Sequence, residues 1–201
     1  MSARHNPRDW PAYQDELSRV LSQVSQADVD SFISFIDYAH FYHRTVFVCG
    51  NGGSAANASH FAQDLAKGTV SPGGVRLRAL SLCDNAAWLT ALANDIDYSA
   101  VFVEQLVQLA GAWDVLVAIS GSGNSPNVVR AVAWGNAHQL KTVAVTGFDG
   151  GRLKEIADFT LHVPCHDMGM VEAAHAALFH HTVSRLRRMW AAQARGVGED
   201  G

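Results

Sequence analysis

His60 and Asp64 stand four residues apart, a spacing that puts an imidazole and a carboxylate on one face of a helix. Such a pair can exchange protons or hold a metal ion; it can also be a plain surface pair. Just upstream, Gly50-Asn51-Gly52-Gly53-Ser54 brings three glycines into four positions. Bare backbone of this kind lets a ligand approach closely and exposes free N–H groups. A second loop, Ser120-Gly121-Ser122-Gly123-Asn124-Ser125, sets three hydroxyls before Pro126, a residue suited to the first turn of a helix. Hydroxyls and N–H groups at a helix start solvate a phosphate monoester without lysine or arginine. An ordinary serine-rich turn with an N-cap would show the same residues.

These loops need strands behind them and helices in front. Val46–Cys49 and Trp113–Ile119 are apolar, β-branched runs that end at the two loops. Ala55–Asp64 and the segment from Pro126 to about His138 have the composition of helices. Further strands are predicted at Arg76–Leu82, Lys141–Thr146 and Asp158–Val163. Further helices are predicted at Asp84–Asn94, Tyr98–Ala110 and Arg152–Ala157, with a long last helix from about Gly169 to Ala194. Asp84 or Asn85 caps the first of these, and Lys67–Val75 reads as a Gly/Pro loop. Residues 9–24 and 26–42 form a helical hairpin, its second helix capped by Ser25 with Asp28 at capping-box spacing. Strands alternating with helices imply an α/β protein with a five-stranded parallel sheet covered on both faces. Ligands then bind at the carboxyl ends of the strands. One domain of 201 residues is expected, with 1–44 as a hairpin for packing or oligomerisation, 45–195 as the α/β core, and 196–201 as a flexible tail.

Composition narrows the function classes. A formal charge of −4 argues against nucleic acid as a partner; Arg185, Arg187 and Arg188 read as a solvated helix end. Cys49, Cys83 and Cys165 are odd in number and widely spaced, which points away from a disulfide framework or structural zinc and toward a reducing, cytoplasmic setting. No apolar run has the length of a membrane span, and Met1–Trp10 lacks the core of a secretory signal. The loops are neither a dinucleotide fingerprint nor a nucleotide P-loop.

The segments GNGGSAANASHFAQDL, SLCDNAAWLTALANDIDY, ISGSGNSPNVVRA and VAVTGFDGGRL resemble the sugar-isomerase (SIS) domain family, and within it the phosphoheptose isomerase branch. The resemblance implies a flavodoxin-like α-β-α sandwich and a homotetramer with active sites at subunit interfaces. It implies an aldose–ketose isomerase that converts sedoheptulose 7-phosphate to glycero-manno-heptose 7-phosphate through an enediol. Ser120, Gly121, Ser122 and Ser125 would hold the phosphate, and Asn51, Gly52, Gly53, Asn94, Asp95 and Glu172 would line the substrate site. His60, Asp64, Glu172 and His180 would hold a divalent metal, zinc first among the candidates, with Asp64 as base and His180 as acid. His175 and His181 are left to packing or surface.

Three positions depart from the family pattern. Asp64 stands for a glutamate and is shorter by one methylene. Glu172 stands for a glutamine, so the ligand set gains a second carboxylate and suits harder ions as well as zinc. Gly121 stands for a threonine, so one hydroxyl is lost. Glu172 and His180 are eight residues apart, roughly 12 Å along a straight helix. Either Glu172 precedes the helix proper, or the ligands come from two chains. The departures leave a second function in view, a non-catalytic sugar-phosphate sensor or an adaptor like family members that bind a replication initiator.

Overall fold

The computed structural model describes residues 9–70 and 74–196. Its centre is β3 (Val115–Ser120), buried at every position and paired in parallel on both sides, with β1 (Thr45–Gly50) and β4 (Lys141–Thr146). Outside these lie β2 (Arg78–Ser81) and β5 (Phe159–His162), giving the parallel order β2-β1-β3-β4-β5. Fully buried parallel strands have no solvent face, so they are apolar throughout rather than alternating.

The period of two splits those strands between two cores. Val46, Val48, Val115, Val117, Ile119, Val143 and Val145 face one side. They meet α2 (Gln26–Phe41), α3 (Gly53–Gly68) and α8 (Met168–Gly196), with Val20 of α1 (Trp10–Ser22) in the same cluster. Phe47, Cys49, Leu116, Ala118 and Ala144 face the other side. There they meet α5 (Val103–Leu109), α6 (Pro126–Ala137) and α7 (Gly151–Ile156), with Leu89 and Leu92 of α4 (Ala86–Asp95) at the margin. The result is the expected flavodoxin-like α-β-α sandwich.

Local chemistry explains most boundaries. Ser25 Oγ accepts the Asp28 N–H at 3.0 Å and so starts α2. Asn85, rather than Asp84, caps α4 by accepting the Trp88 N–H at 3.0 Å. Several expectations needed correction. Of the first loop's glycines, Gly50 ends β1, Gly52 is the N-cap and Gly53 the first residue of α3, and that helix runs on through Lys67 to Gly68. The predicted helix Tyr98–Ala110 is divided into a 3-10 turn (Tyr98–Ala100) and α5, because Asp97 caps the turn by accepting the Ser99 N–H at 2.8 Å. The second and fifth strands are shorter than predicted. α8 begins at Met168, where Asp167 accepts the Met170 N–H at 2.9 Å. It includes Gly196; residues 197–201 of the expected tail lie outside the described residues. Among the described residues no helix is long and apolar enough to cross a membrane.

Candidate active site

In this strand order the chain leaves β1 toward one edge of the sheet and β3 toward the other. The crevice at the carboxyl ends of β1 and β3 is the place where such sheets bind ligands. Both loops singled out from the sequence flank it. A cavity of about 240 Å3 there is lined by Asn51, Gly52, Gly53, Ser54, Ile119, Ser120, Gly121, Ser122, Ser125, Met168 and Glu172. A larger hollow of about 600 Å3 runs along β2 between α3 and α4. Its one ionisable lining group is Asp84, a carboxylate that repels phosphate.

Gly52 has φ +56°, a left-handed value that turns the chain from β1 into α3. No side chain caps α3; the Ala55 and Ala56 N–H groups donate to Gly52 O, and Gly53 and Ser54, the first helical residues, line the crevice. Over them lies Glu172: a β-carbon at Gly53 would collide with its carboxylate. Across the crevice, Ser120 Oγ and Ser125 Oγ stand 3.2 Å apart, and Ser122 Oγ accepts the Asn124 N–H at 3.3 Å. Leu153 N–H donates to Gly123 O at 3.0 Å and Arg152 N–H to Asn124 Oδ1 at 2.9 Å, which fastens the serine loop to α7. The space a side chain at Gly121 would need is filled by the Met168 thioether.

The second half of the site lies farther along α3 and α8. His60 Nε2 is 3.4 Å from Asp64 Oδ2, and His180 Nδ1 is 3.5 Å from the same oxygen. The two imidazoles meet edge to face, with centroids 4.9 Å apart. Packing sets this approach. Phe61 and Phe179, the chain neighbours of His60 and His180, are buried and stacked at 4.4 Å, and both lean on Phe32 of α2. The three polar side chains ride on the solvent rim of that aromatic stack. Their ligand atoms lie within 4.8 Å of one another. Donor atoms around tetrahedral zinc stand roughly 3.3 Å apart, since the bonds are about 2.0–2.1 Å. The trio therefore fits a zinc-like ion with room for a further ligand.

Two expected groupings are absent within one chain. Glu172 does not join the trio. It sits inside the regular part of α8, two turns before His180, so the option that it precedes the helix is closed. Asn94 and Asp95 end α4 in exposed positions, bonded to each other at 2.8 Å, and do not line the crevice. Tyr98 comes in from that segment instead, its hydroxyl donating to Asn51 Oδ1 at 3.0 Å. Asn51 is further held by Asn127, through paired amide bonds of 2.9 and 2.8 Å. Tyr98, Asn127 and Met168 escaped the sequence reading. Asn127 alone left a signal, a polar residue in the first turn of a helix that follows a phosphate-type loop.

His175, between Glu172 and His180 on α8, is fully buried, and its Nε2 donates to Thr146 O at 3.2 Å. Burial pushes its pKa down to about 4, so it stays neutral and anchors α8 to the end of β4. Burial likewise raises the thiol pKa of Cys83, beside the Gly50 carbonyl.

The profile of the SIS domain matches residues 12–147. A protein of Mycobacterium bovis named phosphoheptose isomerase is 41% identical over 162 residues, which is 81% of this chain and 80% of that protein. Another of that name, from Aliarcobacter butzleri, is 40% identical over 179 residues, covering 89% and 93%. The solved phosphoheptose isomerase of Neisseria gonorrhoeae superposes with a TM-score of 0.81 at 30% identity, over 88% of this chain and 95% of that one. The chain belongs to the SIS-domain family and, within it, to the branch of the phosphoheptose isomerases.

Proposed function

We propose that this enzyme is an aldose–ketose isomerase of a phosphorylated sugar, with sedoheptulose 7-phosphate and glycero-manno-heptose 7-phosphate as its substrate pair. The observation that carries the reading is the His60–Asp64–His180 trio on the same two helices, α3 and α8, that close over the phosphate-type crevice. Gly53 and His60 are seven residues apart on α3, roughly 10 Å at 1.5 Å per residue. A phosphate in the crevice and a carbon at the trio must then sit at opposite ends of a long substrate.

Ser120, Ser122 and Ser125 receive the phosphate, with the N–H groups that open α6. Asn51, held by Tyr98 and Asn127, and the Gly52–Gly53 backbone face the sugar hydroxyls. Asp64 removes the proton from the carbon next to the carbonyl. His180 delivers a proton to the carbonyl oxygen, and the enediol collapses in the other direction to give the isomer. His60 lies against Asp64 and orients its carboxylate. His60, Asp64 and His180 would hold a divalent metal, zinc by donor type, which when bound supplies positive charge near the developing enediolate. Glu172 would complete that set from a second subunit of a homotetramer. Active sites shared between subunits also give Asn94 and Asp95 a route to the substrate.

Incubation with sedoheptulose 7-phosphate should yield the aldose, with loss of turnover on chelation and recovery with zinc. No turnover with any divalent ion would overturn the reading in favour of a sensor or adaptor.

A further inference from the structure

The amino-terminal end of the sheet carries a second concave feature. A hollow of about 230 Å3, roughly eight water volumes, lies between the end of α2 and the starts of β1 and β2. His40, His43, Arg44, Arg76 and Arg78 line it, and no carboxylate does. It is roughly 16 Å from the crevice, the length of β1 at 3.3 Å per residue.

The chain's local geometry builds this cluster. Arg44 N–H donates to Ala39 O at 2.7 Å and His43 N–H to His40 O at 3.3 Å, the paired bonds of a Schellman ending for α2, with His43 at φ +56°. That turn swings Arg44 back toward the parallel β2, which brings Arg78. Capping of the helix end explains part of the cluster, since Arg78 donates to His43 O at 2.6 Å. Arg44 donates to Ala112 O at 3.4 Å. Each guanidinium has five N–H donors, so most remain. Arg76 makes no hydrogen bond, and none of the three arginines is in an ion pair, among the described residues. This occurs in a chain with 19 acidic residues and a net charge of −4. The Nε of Arg44 is buried without a hydrogen-bond partner among the described residues, a costly state.

We propose that this hollow is a second anion site, which takes the phosphate group of a small phosphorylated molecule independently of the substrate crevice. It does not depend on the isomerase reading, because binding rather than turnover tests it.

Calorimetric titration of the full chain with pyrophosphate, with inorganic phosphate and ribose 5-phosphate as further arms, reads the site directly. Tighter binding of ribose 5-phosphate supports a phosphoester as the occupant; tighter binding of the inorganic ions would overturn that assignment in favour of free phosphate. Arg76→Glu reverses a charge on an exposed side chain that makes no hydrogen bond among the described residues, and an unchanged melting temperature confirms its fold. Arg76→Glu should weaken this site at least about tenfold, with Arg76→Ala intermediate. A Ser122→Ala/Ser125→Ala chain should keep it intact. Binding that is unchanged in Arg76→Glu, or that vanishes in the serine variant, would overturn the proposal. Tighter binding of a single-stranded oligonucleotide than of pyrophosphate, lost in Arg76→Glu, would overturn the assignment to a small molecule.

Discussion

The crevice and the His60–Asp64–His180 trio are built by different means. The crevice is made of backbone: strand ends, helix N-termini and glycines, with serine hydroxyls on the rim. The trio is made of side chains on two helix faces, and the Phe61–Phe179 stack beneath sets their separation. A backbone site tolerates side-chain change because its donors belong to the sheet. A packed site does not, because a lost ring lets the helices shift. The crevice should therefore govern binding and fail gradually, while the trio governs chemistry and fails abruptly.

Asp64→Asn offers the largest contrast. It preserves size and removes the proposed base, so kcat should fall by about 10²–10⁴. A kcat within tenfold of the parent would remove Asp64 from the chemistry. Phe179→Ala attacks the support instead. Truncating a buried ring costs about 3–5 kcal/mol, to be read from denaturant unfolding, and should lower kcat as well by loosening His180. His175 anchors the helix that joins both halves, and its contribution depends on pH. Its folded pKa of about 4 lies below the ordinary 6.5, so the unfolded chain binds the extra proton first. The stability is present above pH 6.5 and is lost as the pH falls toward 4, by on the order of 3 kcal/mol. His175→Leu should flatten that part of the acid slope in melts at pH 7 and pH 4.5. An equal slope in both chains would mean other groups carry it. Ser122→Ala should give the smallest effect, a KM about tenfold higher with kcat nearly unchanged, as expected for one hydrogen bond to a charged group of about 1.4 kcal/mol.

The same contrast explains what could be read before the structure. The sheet was legible because Val115–Ser120 and its neighbours are apolar runs bounded by glycine, signals that depend only on local sequence. The crevice was legible for the same reason, since each loop directly follows its strand. His60 and Asp64 were visible as a pair through helical spacing. That His180 joins them follows from how α3 packs on α8, which no spacing within either helix encodes. Glu172 shows the limit from the other side: motif order grouped it with His180, but helix rise separates them, and its carboxylate rests on Gly53. Tyr98 reaches Asn51 only because a capped turn breaks the predicted helix at Asp97.

Met168 and Gly121 carry a consequence for how this crevice can change over generations. The thioether occupies the volume that a β-carbon at position 121 would claim. Met168 is 42% exposed and its thioether is the flexible end of a side chain, so a threonine at position 121, and with it a fourth hydroxyl on the crevice rim, is admissible once that thioether swings aside. The two positions are therefore coupled without a fixed order: a side chain at 121 displaces the Met168 thioether, and a smaller residue at 168 clears the same room in advance.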